Sequence, residues 1–101
     1  MKTTSYKDFV VGQLSGLDIS VRPMFSSFGL YLQSRFFGII SSGRVYFKTN
    51  DLTRKKYLEQ SMGPFAPSEK QILKNYYEVP VEVIEDINKL KEWAEEAASV
   101  Q

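Results

Sequence analysis

The sequence contains no cysteine and no histidine in its 101 residues. Without cysteine there is no disulfide, no thiolate nucleophile and no argument for an oxidising compartment. Without histidine the commonest general base and the commonest metal ligand are both missing. No apolar run approaches the ~18 residues of a membrane-spanning helix. The opening Met1-Lys2-Thr3-Thr4-Ser5-Tyr6 has no apolar core of a signal peptide. The expected setting is therefore cytoplasmic, with no membrane partner. Internal repeats, linkers and low-complexity segments are also lacking, and the length fits one domain, 1–101, able to bury one core.

Net charge is scarce too, at +1, but it is unevenly spread. Residues 1–77 carry 11 basic and 5 acidic side chains, whereas 78–101 carry 2 basic and 7 acidic, so +6 and −5 sum to +1. Two readings stay open: a last helix with a solvated acidic face, or a bipolar surface whose basic side meets an acidic partner.

What the chain does have is aromatic residues, concentrated in residues 22–48. Three apolar runs there are separated by Gln33-Ser34 and by Ser41-Ser42-Gly43. Short runs rich in Phe, Tyr, Val and Ile between polar breaks read as strands. Breaks this short allow only antiparallel neighbours, because a parallel return needs a crossover of about a dozen residues. In residues 36–40, strict alternation would put Phe37 and Ile39 on one face and Phe36 and Ile40 on the other. Such a strand is either central with both faces covered or half of an interface, and Gly38 marks a close approach. In residues 44–48, Val45 and Phe47 are expected in the core, with Arg44, Tyr46 and Lys48 sharing the other face and Tyr31 beside them on the neighbouring strand. Ser42-Gly43 suits a tight hairpin turn.

On either side the periodicity is helical. Residues 5–17 predict a helix through Tyr6, Phe9, Val10, Leu14 and Leu17, capped by Ser5 with Asp8, and with Gly16 a candidate stop. Residues 19–25 predict a strand that Pro23 places at an edge or a bend. A second helix is expected over 51–62, capped by Asn50 or Asp51, buried through Leu52, Tyr57, Leu58 and Met62, and ended by Gly63-Pro64. Residues 65–68 are short and extended, and 71–79 form the last long strand. Pro80 opens a helical turn to Ile84, and Asp86 caps a final helix over 87–99 whose buried stripe is Ile87, Leu90, Trp93, Ala94 and Ala97. Glu85 with Lys89 and Lys91 with Glu95 are candidate i,i+4 pairs. The fold class is α+β, an antiparallel sheet with helices packed on it in the order α-β-β-β-β-α-β-α.

Several of these stretches together resemble a known family. Met24-Phe25-Ser26-Ser27-Phe28-Gly29-Leu30-Tyr31 is similar to the Met-Phe-Gly-Gly-Tyr-Gly-Leu-Tyr signature of the TfoX N-terminal domain (TfoX/Sxy family). The spaced Phe36-Phe37, Gly43-x-Val-Tyr-Phe-Lys48, Gly63-Pro64-Phe65, Tyr76-Tyr77-Glu78-Val79-Pro80 and Leu90-x-x-Trp93-Ala94 extend the likeness from Tyr6 to Ala98. The signature positions are Arg22, Met24, Phe25, Gly29, Tyr31, Tyr77, Pro80 and Trp93. Arg22 is expected to make an ion pair or to hydrogen-bond loop carbonyls, and Trp93 to sit in the core. The resemblance implies a fold similar to secretion-chaperone folds and a part in regulating competence genes, where full-length members act as transcriptional co-activators. It implies no catalytic residue. Full-length members carry a second, C-terminal domain, which leaves two readings of a chain ending at Gln101: a single-domain member or an N-terminal half. Ser26 and Ser27 depart from the family's glycines, so no phosphate-binding nest is carried over.

Three function classes compete. An enzyme is not expected: Ser26, Ser27, Ser41 and Ser42 lack a histidine to activate them. Glu78, Glu82, Glu85 and Asp86 read as caps and helix charges ahead of a paired-carboxylate or hard-metal site. No metal and no cofactor is expected. A nucleic-acid-binding domain would use the Arg44/Tyr46/Lys48 face for stacking and phosphate contact. A protein-interaction module would use Tyr31, Arg44, Tyr46 and Lys48 to dock a partner in transcription regulation, or a second copy as a homodimer. This last class is the one the resemblance supports.

Overall fold

The computed structural model describes residues 5–24 and 26–100, so Phe25 of the signature lies outside the described residues. Its six strands are β1 (Ile19–Met24), β2 (Ser27–Leu32), β3 (Arg35–Ser41), β4 (Arg44–Lys48), β5 (Pro64–Ser68) and β6 (Gln71–Glu78); its helices are α1 (Tyr6–Gln13), α2 (Arg54–Glu59), α3 (Val81–Ile84) and α4 (Ile87–Ser99). All strand pairs are antiparallel, in the order β1-β2-β3-β4-β6-β5. The α+β class and the element order match the expectation, with residues 64–68 joining the sheet as its edge.

The meander closes through two-residue turns. Ser42 (φ 54°) and Gly43 (φ 73°) link β3 to β4, and Gln33 (φ 50°) and Ser34 (φ 71°) link β2 to β3. Positive φ at both turn positions matches the right-handed twist of the flanking strands. Both sheet edges carry proline, Pro23 in β1 and Pro64 and Pro67 in β5, which discourages further strand pairing.

One face of the sheet is covered by helices. α4 lies across β2, β3 and β4, and α1 and α3 pack beside it. Leu30, Phe37, Val45 and Phe47 from the sheet meet Val10, Leu14, Leu90, Ala94 and Ala97 from the helices, all buried. The helix caps are local chemistry. Ser5 Oγ accepts a hydrogen bond from the Asp8 N–H, and Asp86 Oδ1 accepts one from the Lys89 N–H, each at 3.1 Å.

The alternation expected of residues 36–40 fails at one place. Leu30 pairs with Gly38 but Tyr31 pairs with Phe36, so Phe37 is an extra residue, a β-bulge. Beyond it the strand changes parity. Phe37 and Ile40 both enter the helix-covered core, while Phe36 and Ile39 face the other way. Gly38 makes this possible. A Cβ there would lie 3.0 Å from the Tyr46 carbonyl oxygen, 3.1 Å from Phe47 Cδ1 and 3.2 Å from Leu30 Cδ1, so the space beside Phe37 is already filled.

Other expectations are corrected in the helices. α2 spans only Arg54–Glu59; Asn50 Oδ1 accepts from the Leu52 and Thr53 N–H groups in a turn ahead of it. Its shortness turns one residue, Tyr57, fully inward and leaves Leu52 and Leu58 exposed. Ser61, with φ 62°, takes the left-handed position after it that Gly63 was expected to supply. In α4, Ile87 at the start of the helix is exposed. The two expected intrahelical pairs are not among the ion pairs of the described residues; Glu96 instead pairs with Lys56 of α2.

Candidate functional site

The face of the sheet opposite the helices carries the chemistry. In β1 and β2, Arg22 and Met24 share it with Gly29 and Tyr31, since Arg22 pairs with Gly29 and Met24 with Ser27. A Cβ at Gly29 would meet Met24 Sδ at 3.0 Å, Phe36 Cε1 at 3.1 Å and Tyr31 Cε1 at 3.3 Å. The absent side chain is what lets these three pack together. Four signature positions thus form one cluster: Arg22, Met24, Gly29 and Tyr31. Arg22 makes neither the ion pair nor the carbonyl hydrogen bonds expected of it among the described residues. Its guanidinium lies 4.7 Å from the centre of the Tyr31 ring, a cation–π contact. The aromatic row continues from Tyr31 to Phe36 at 5.1 Å and from Phe36 to Tyr76 at 5.5 Å.

The other described signature positions, Tyr77, Pro80 and Trp93, belong to the helix side. Tyr77 sits 6.4 Å from the Tyr57 ring with the Arg54 guanidinium above it, and Pro80 is buried at the start of α3. Trp93 packs 4.8 Å from Tyr57, half-buried, with Lys56 Nζ over its ring. These are packing positions, as expected for Trp93.

The four candidate docking residues do not form one patch. Tyr31 is on β2 and is separated from β4 by the whole of β3, so it is not on the strand next to Arg44, Tyr46 and Lys48. Tyr46 lies against Phe65 of β5, with ring centres 4.6 Å apart. Arg44 is held in an ion pair by Glu78 of the neighbouring strand, whose register partner is Tyr46; Nη1 donates to both carboxylate oxygens at 3.1 Å. Lys48 pairs with Tyr76 and lines, with Arg35 and Phe36, a shallow cleft at the other end of the strands.

The sequence reading missed Phe65. It is nearly buried and folds over this face, where Ile39, at 1% exposure, is as deeply enclosed as the helix-side core. The available signal was a lone large apolar residue in a segment fenced by prolines. Between Phe65 and the β1–β2 turn runs a groove of about 440 Å³ lined by Met24, Phe36, Ile39, Phe65, Pro67 and Leu73. Its walls come from the two edge strands, β1 and β5, so the sheet must curl strongly to bring them together. The groove adjoins a polar cleft of about 200 Å³ where Ser26, Ser27, Ser41 and Ser42 meet Arg44 and Tyr46.

The Tyr46 and Tyr76 phenols of this face stay protonated at neutral pH. Burial pushes the Tyr46 phenol above its ordinary pKa, the Glu78 carboxylate adds to this, and Arg44 opposes it. Burial likewise raises Tyr76, with Tyr31 adding to it. Both phenols are hydrogen-bond donors at neutral pH, not bases. Among the described residues no group of three or more acidic side chains is placed to hold a metal ion, and no helix is long and apolar enough to cross a membrane.

The model of one protein family, the TfoX N-terminal domain, matches residues 13–101. No curated protein matches the chain in sequence.

Proposed function

The chain belongs to the TfoX N-terminal domain family, and from that premise we propose that it is a non-enzymatic, cytoplasmic regulatory interaction domain. Its partner is a protein of transcription regulation or a second copy of itself, and competence genes are the process the family resemblance points to. The observation that carries this reading is the row Arg22–Tyr31–Phe36–Tyr76, half-exposed aromatic rings edged by a cation on a face no helix covers. Aromatic residues and arginine are the side chains enriched where proteins dock.

Direct nucleic-acid binding is the weaker reading for the same face. Tyr46 already stacks on Phe65 and is not free to stack on a base, and Glu78 beside Arg44 leaves the face without the run of unmatched cations that a phosphate backbone needs.

Sedimentation equilibrium over a range of protein and salt concentrations, repeated for Tyr31→Ser/Arg22→Glu, tests the docking face. Self-association in the parent chain that the double variant abolishes, with an unchanged thermal midpoint, supports docking of a second copy. A parent chain that is monomeric leaves a transcription-machinery partner, to be tested as binding to purified RNA polymerase holoenzyme or to a purified co-regulator. A double variant that associates and binds as the parent does removes this face from the proposal.

A further inference from the structure

The groove and the polar cleft adjoin, with Ser26, Ser27, Phe65 and Pro67 lining both. The two ends differ in chemistry. One end is apolar, lined by Phe36, Ile39, Phe65 and Leu73. The other is lined by four serines, Tyr46 and the Arg44 guanidinium. Arg44 is the only charged side chain lining either part among the described residues. Both of its hydrogen bonds to Glu78 leave from Nη1, while Nη2 and Nε donate to no described residue. The guanidinium fork is therefore tethered at one nitrogen and open at the others.

We propose that this space binds a small amphipathic carboxylate, with its carboxylate at Arg44 and the serines and its apolar body over Ile39 against Phe65 and Leu73. The size suits such a ligand, since small-molecule sites run to about 300–1,000 Å³, mostly apolar with a few placed polar groups. Serine hydroxyls can donate to a carboxylate, and an arginine fork matches its two oxygens. An extended peptide fits less well. It would add to a sheet edge, and the edges that wall the groove carry Pro23, Pro64 and Pro67. The proposal does not depend on the neighbouring Tyr31 row docking a protein.

The test is an NMR titration of the isotope-labelled chain with octanoate and with 3-phenylpropionate, against octanol (body without charge) and inorganic phosphate (charge without body). The expected result is saturable shifts of the amides of Ile39, Phe65, Leu73 and residues 41–44 with either carboxylate. Octanol should bind about tenfold more weakly, the worth of a hydrogen bond to a charged group, and phosphate alone should not saturate. Arg44→Gln should weaken the carboxylates by about tenfold and leave octanol unchanged. Ala66→Glu places a carboxylate beside the polar cleft at an exposed edge position, so it tests the same point without touching the core. It should weaken the carboxylates and not octanol. Leu73→Trp, filling the groove, should weaken all three. The proposal is overturned if neither carboxylate gives saturable shifts, if octanol matches octanoate, if Ala66→Glu has no effect on carboxylate binding, or if the shifts map to the helix face.

Discussion

The two faces of the sheet bury the same kinds of residue by different means. On one, Phe37, Val45 and Phe47 are closed over by α1, α3 and α4, separate elements that can settle until no space remains. On the other, Ile39 is almost equally buried, but it lines a groove walled by Phe65, which the edge strand of the same sheet carries. A sheet that curls onto itself is limited by its own twist and cannot close completely. What is left is a groove beside Phe65 and a row of half-exposed rings from Tyr31 to Tyr76. The difference teaches where to look for function: the helix-covered face holds the fold together, and the self-covered face has surface to offer.

Four substitutions or conditions put this contrast to the test. Phe37→Ala should be the most damaging, lowering unfolding free energy by about 3–5 kcal/mol, because the closed core cannot collapse into the cavity. Denaturant unfolding measures it. Phe65→Ala should cost about 2 kcal/mol, near the transfer value of a buried phenylalanine, because its site opens to solvent and leaves no sealed cavity. Equal losses at the two positions would erase the distinction drawn between the faces.

Alkaline unfolding titrates all the raised phenols, Tyr46 and Tyr76 included, and the helix-side Tyr57 is the most buried of them. Burial raises the Tyr57 phenol strongly above its unfolded value of 10.0, and Glu96 adds to the shift. Between the two values the unfolded state binds fewer protons, so stability is intact below about pH 10 and falls as pH rises above it. Tyr57→Phe should flatten that fall while changing stability at pH 7 by less than about 1 kcal/mol. The smallest effect is expected at the exposed Arg44–Glu78 pair. Arg44→Gln should cost under about 1 kcal/mol, less in high salt, since its side chain is 59% exposed. Its consequence should appear in ligand binding, not in the melting curve.

Much of the fold was legible because it rests on local rules. Ser5 and Asp86 cap the helices they were expected to cap, Ser42-Gly43 forms the tight turn, and Val45 and Phe47 face the core by simple alternation. The site was less legible. Tyr31 was placed next to β4, and only the strand order shows β3 between them. Arg22 was expected to find an anion or a carbonyl, and it lies on Tyr31 instead. Leu52, Leu58 and Ile87 have the spacing of buried residues but no element arrives to cover them.

By itself the sequence determined the class of each segment, the antiparallel meander and the family, because hydrophobic period, caps and turn residues act over a few neighbouring positions. Only the tertiary structure decided the inner and outer sides of β3, where the one extra residue Phe37 reverses every side chain beyond it. It also decided that Phe65 comes from the far edge to stack on Tyr46 and to line one groove with Ile39. Both depend on contacts between residues distant in the chain, which no local pattern encodes.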